Sequence, residues 1–130
     1  IRISLEAQAK IYIQRMIEAG EIELVSSYML IYENSRNRFV TKRKAIEQFI
    51  ADNTTVYIDE TYSEKVEIIA TEIQSTGVKS ADAIHTACAI LAKCDFMITT
   101  DDRLLKYKSD LIHIIAPTEF IRMIGSADID

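Results

Sequence analysis

A chain of 130 residues and 14.8 kDa has the length of one domain and buries about two-thirds of its unfolded surface. With 48% apolar and 27% charged residues it is not a disordered chain, and 3 Gly and 1 Pro are too few for an all-β fold of tight turns. A net charge of -5 restricts any polyanion site to a local patch, while the sequence offers neither a membrane-length apolar run nor the basic, apolar and small-residue pattern of a secretory leader.

Residues 3–19 repeat apolar side chains at Leu5, Ala9, Ile13, Met16 and Ile17, which predicts an amphipathic helix stopped at Gly20. Ile22, Leu24 and Val25 form a short strand, and Ser26 or Ser27 caps a helix through SYMLIYENSR. Residues 38–52 are helical, with Phe39, Ala45, Ile46, Phe49 and Ile50 available for burial. TVYID is a β-branched, aromatic strand. ETYSEKVEIIATEIQST is a helix ended by Gly77, and KSADAIHTACAILAKC is a helix apolar nearly all round, hence largely buried. FMIT is a strand covered on both faces, DDRLLKYK a short helix, DLIHIIA a strand, and PTEFIRMI a helix with Pro117 in its first turn. The alternation predicts an α/β fold with a parallel sheet and helices on both faces. Cys88 and Cys94 are too far round a helix to bridge and read as reduced thiols of a cytoplasmic protein.

Ligands of open parallel sheets collect at the carboxyl ends of the strands. FMIT runs into Thr100, Asp101 and Asp102; Asp82 lies in the first turn of a buried helix; Glu33 lies seven positions beyond Ser26, one turn and more into the helix that follows ELV. Each acid also has a purely structural explanation: Asp101 as a helix cap, Asp82 as a complement to a helix dipole, Glu33 as half of an ion pair. Carboxylates converging at one sheet edge repel unless a cation sits among them, and hard oxygen ligands suit Mg²⁺ or Mn²⁺. Such an ion polarises a phosphate and activates water.

The stretch KSADAIHTACAILAKCDFMITTDDRLLK resembles the C-terminal half of a PIN domain, and SSYMLIYE resembles that family's second motif. The resemblance follows the family's element order from its first helix onward and implies a three-layer α/β/α sandwich with a mainly parallel central sheet, a single domain over 1–130. It implies a metal-dependent endoribonuclease, such as the VapC-type toxin of a toxin–antitoxin pair. By position, Glu33 matches the motif glutamate, six residues after Ser27. Asp82 and His85 match an Asp-Ala-x-His pattern, and Thr99 and Asp101 a Thr-x-Asp motif at a strand end. The implied catalytic and metal-binding set is Glu33, Asp82 and Asp101, with Asp102 as an extra contributor to Mg²⁺ or Mn²⁺ and Ser27, Thr99 and His85 in support. The family's first aspartate, on an N-terminal strand at the sheet centre, has no counterpart here. The chain opens at Ile1, without that strand, and reads as N-terminally incomplete. Arg2 and Glu6 lie near where that strand would end.

Arg36, Arg38, Lys42, Arg43 and Lys44, with Phe39 among them, make one local basic patch. It reads as an RNA backbone contact, as a solvated helix face, or as a dock for an acidic partner. His113 reads as a strand residue without a role. The leading expectation is an RNA phosphodiester hydrolase, held by a cognate antitoxin when it is a toxin, and a dimer by resemblance. The rival is an inactive PIN-like module that binds protein or RNA. A phosphoacceptor receiver domain ranks lower, because TTDD comes too late for its acidic pair.

Overall fold

The computed structural model describes residues 4–129, so Arg2 and Ile3 lie outside the described residues. Helix α1 covers Leu5–Glu18, its first turn capped by Ser4, whose hydroxyl accepts from the Ala7 N–H at 3.1 Å. It stops where expected. Gly20 takes φ 76°, and the N–H groups of Gly20 and Glu21 return to the carbonyls of Ile17 and Met16. Strand β1 is Leu24–Ser27, α2 is Tyr28–Ser35 and α3 is Val40–Asn53. The hydroxyl that caps α2 is that of Ser27, accepting from the Leu30 N–H at 3.3 Å. Strand β2 is Thr54–Ile58. The single helix expected next is divided into a 3₁₀ turn at Glu60–Tyr62 and α4 at Ser63–Gln74. The Asp59 carboxylate turns back onto the Thr61 N–H at 2.9 Å, a local bond that competes with α-helical pairing.

Helix α5 is Ser80–Leu91, β3 is Phe96–Ile98, α6 is Asp102–Lys106, β4 is His113–Ile115, and α7 is Pro117–Ile129. Pro117 occupies the first helical position, where its missing N–H costs nothing. Among the described residues no helix is long and apolar enough to cross a membrane.

All strand pairing in the described residues is parallel, but the single sheet expected from the alternation is two pairs, β1 with β2 and β3 with β4. What joins them is α5. It packs against α4 and touches both β1 and β3. Small side chains permit this: Ala83 and Ala87 on α5 are wholly enclosed and face the Val66, Ala70 and Ile73 stripe of α4. One apolar core therefore runs beneath both strand pairs, taking Val25 and Ile58 from one and Met97 and Ile114 from the other. On the opposite face of β3 and β4, Phe96, Ile98 and Ile115 meet Ile13 of α1 and Phe120 of α7. FMIT is thus covered on both faces, as its unbroken apolar run indicates.

Helix α3 departs from expectation. Ile50 is its only buried residue, Ala45 is exposed, and Phe39 just before it is 64% exposed. Both thiols are free, although Cys94 lies beyond the end of α5 and not on it. Burial pushes the Cys88 thiol above its ordinary value, opposed by a hydrogen bond with Ser27. Desolvation, with Cys88 next, raises neighbouring Tyr28 as well. Both groups therefore ionise more readily in the unfolded chain. Their stabilisation is complete below the ordinary thiol value of about 8.5 and is lost as pH rises through the folded values. The urea midpoint is expected to fall as pH is raised above about 8.5, with Cys88→Ala giving a flatter profile. A wild-type midpoint constant into alkaline pH would contradict this.

Candidate functional site

Helix α2 leaves the carboxyl end of β1 and carries Glu33 at its sixth position. Helix α5 carries Asp82 in its first turn and His85 one turn later on the same face. These helices meet, and the His85 Nε2–H donates to the Glu33 carboxylate across 52 residues of sequence. Because a carboxylate only accepts, this bond places the ring proton on Nε2. His85 is mostly enclosed at 18% side-chain exposure, whereas Glu33 keeps 46%, so the glutamate presents a face to solvent while the histidine holds it.

Asp82 is half-buried, and its carboxylate makes no hydrogen bond or ion pair among the described residues. Only its backbone carbonyl is used, accepting from the Thr86 hydroxyl at 2.8 Å. A partly desolvated carboxylate without a partner is costly unless something compensates it. Part of the compensation is the N-terminal dipole of α5, which has no side-chain cap at Lys79.

Asp101 is engaged elsewhere. It caps α6, accepting from the Leu104 N–H at 2.9 Å, while its own N–H donates to the Thr99 hydroxyl at 3.1 Å. The Thr99 hydroxyl thus meets the Asp101 backbone, and Asp102 is exposed as the first residue of α6. Asp101→Ala is expected to lower stability by about 1 kcal/mol, whereas Asp101→Asn keeps the cap. Urea midpoints of the two variants check this, and equal losses would show that the cap bond contributes nothing.

Among the described residues no three His, Cys, Asp or Glu side chains stand close enough to hold one metal ion. Mg²⁺ demands near-octahedral oxygen coordination, and the Glu33–His85 pair alone does not provide it.

The basic patch is only partly free. The Arg43 guanidinium turns inward to the Asn37 carbonyl at 3.0 Å. Arg36 lies over the Tyr32 ring and Arg38 over the Phe39 ring, each 5.6 Å from the centroid. Lys42 and Lys44 are exposed at the start of α3. His113 is exposed and lies 5.6 Å from the Phe96 ring, consistent with a strand residue.

Sequence reasoning did not find the Glu33–His85 bond. It also missed Asn34, which is buried beside Glu33 and ties α2 to α3 by donating to the Arg43 carbonyl at 3.0 Å. No periodic signal marks either residue; each acquires its partner only when two helices meet. Compared with protein-family models, curated proteins and solved structures, the chain matches none of them.

Proposed function

We propose that this chain is an RNA phosphodiester hydrolase of the PIN type, dependent on Mg²⁺ or Mn²⁺ and acting as the toxin of a toxin–antitoxin pair. The observation that carries the reading is the Glu33–His85 contact. It unites two of the three resembling motifs at one place, one turn from Asp82, whose carboxylate has no partner among the described residues. Carboxylates that bind metals are commonly held by a hydrogen bond from behind, and His85 stands in that relation to Glu33. A divalent ion, when bound, supplies charge neutralisation at phosphate and an activated water. The bonds in place that support this reading are His85 to Glu33, the Asp101 backbone N–H to the Thr99 hydroxyl, and the Ser27 cap of the helix that carries Glu33.

The same reading extends to the fold. The shared core beneath β1–β2 and β3–β4 fits a three-layer sandwich whose central sheet takes one more strand between the pairs. The resemblance implies that strand and an aspartate on it, which would add the ligand that the described side chains lack. RNA would lie along Arg36, Arg38, Lys42 and Lys44, and two free thiols suit a reducing cytoplasm. A cognate antitoxin and a second copy of the chain are the partners this class implies.

One observation favours a second reading, an inactive PIN-like module: the Asp101 carboxylate is engaged as a helix cap. Incubation with single-stranded RNA and Mn²⁺, with and without EDTA, separates the two. The hydrolase reading expects cleavage that EDTA abolishes and calorimetric uptake of Mn²⁺. RNA left whole and no Mn²⁺ binding would favour the module.

A further inference from the structure

A second cationic surface lies apart from residues 36–44. It is a cleft of about 290 Å³ walled by Thr76 and Val78 on one side and by Arg103, Lys106, Tyr107 and Lys108 on the other. Its lining holds three cations and no acid. Arg103, Lys106 and Lys108 are exposed and make no ion pair among the described residues, so their charge is uncompensated in a chain of net charge -5. By contrast, the larger cavity, about 600 Å³, sets Asp95 and Asp110 against Lys93 and Lys108 and has no dominant sign.

The walls of the smaller cleft have a particular place in the chain. Thr76 and Val78 lie in the turn that leads into α5, six and four residues before Asp82. Arg103 and Lys106 belong to α6, which begins immediately after Asp101 and, at 1.5 Å per residue, is only about 7.5 Å long. Whatever occupies the cleft therefore lies beside the elements that carry two of the candidate carboxylates. Uncompensated cations together with an aromatic side chain make the combination that recognises single-stranded nucleic acid, charge for phosphate and ring for base. A cleft of this size suits one nucleotide; an acidic helix or strand requires a longer groove.

We infer that the Arg103–Lys106–Lys108 cleft seats a phosphate of single-stranded RNA next to the one attacked, with Tyr107 against its nucleoside. The inference rests on the RNA reading of the neighbouring acids, but its test requires no cleavage. A fluorescein-labelled single-stranded RNA of about a dozen nucleotides, enough to cross one binding groove, is titrated in EDTA and followed by anisotropy.

The double variant R103Q/K106Q is expected to bind roughly tenfold more weakly, with the slope of log affinity against log salt reduced by about 0.7 for each phosphate that is no longer neutralised. Lys65→Gln, an exposed change on α4, should match wild type. Both substituted side chains are exposed, and an unchanged circular dichroism spectrum confirms that the double variant is folded. Wild-type affinity and slope in the double variant would overturn the inference. So would a wild-type chain that binds no RNA, or one that binds poly-glutamate as tightly and loses both equally. Binding that falls as expected in a chain that cleaves nothing with Mn²⁺ would uphold the cleft and remove the hydrolase reading.

Discussion

Asp82→Asn is expected to lower Mn²⁺-supported RNA cleavage by more than about a hundredfold, the upper end of the loss seen when only an outer partner of a metal ligand is removed. The substitution keeps shape and removes charge from a half-buried carboxylate that nothing in the described residues satisfies. Its effect on stability should be small and unfavourable. An acid in the first turn of a helix is worth about 0.3–1 kcal/mol against the dipole, and among the described residues Asp82 belongs to no group of three potential metal ligands whose repulsion the change would relieve. Initial rates on a single-stranded RNA and a urea midpoint for the same preparation measure both quantities. Asp110→Asn, on the exposed turn before β4, controls for loss of one negative charge. Equal cleavage by wild type and Asp82→Asn would remove Asp82 from the site.

Leu104→Ala carries the largest expected cost in stability, about 3–5 kcal/mol, within the usual span for truncating a buried leucine. Leu104 is 0% exposed and lies in the main core with Ala87, Ile112 and Ile114. Five residues are far too short to stay helical unaided, so α6 is held by its core contacts, of which Leu104 is the fully buried one, with Leu105 and Tyr107 partly buried beside it. Leu104 also donates the N–H that Asp101 caps, and one substitution therefore loosens both the candidate carboxylate and the cationic cleft beyond it. Leu111→Ala, at 71% exposure, should stay within about 0.5 kcal/mol. Urea denaturation of the two variants makes the comparison, and similar midpoints would show that α6 is not anchored through Leu104.

The element order was legible because it depends on local signals. The Leu5, Ala9, Ile13, Met16 spacing produced α1, positive φ at Gly20 ended it, and Pro117 began α7 where a missing N–H is harmless. The length of α3 was also legible, but its burial was not. The apolar residues Phe39 and Ala45 carry no information on whether the fold buries them, and both stay exposed. Of the candidate site, Glu33, Asp82 and Asp101 stood out as acids at strand ends or helix starts. Their states did not, because a carboxylate at a helix start caps, complements a dipole or binds a ligand with the same sequence signature. Asp101 turned out to cap, Asp82 to lack a partner among the described residues and Glu33 to bond with His85.

Composition and periodicity by themselves thus determined a mixed α/β chain with parallel strands and a buried α5, since hydrophobic spacing and capping act over a few residues. Tertiary structure alone decided that the strands form two pairs over a common helix, that Glu33 finds His85, and that Arg103, Lys106 and Lys108 gather round a cleft. Those are contacts between segments distant along the chain, and their formation depends on how helices and strands pack, which no local pattern of residues encodes.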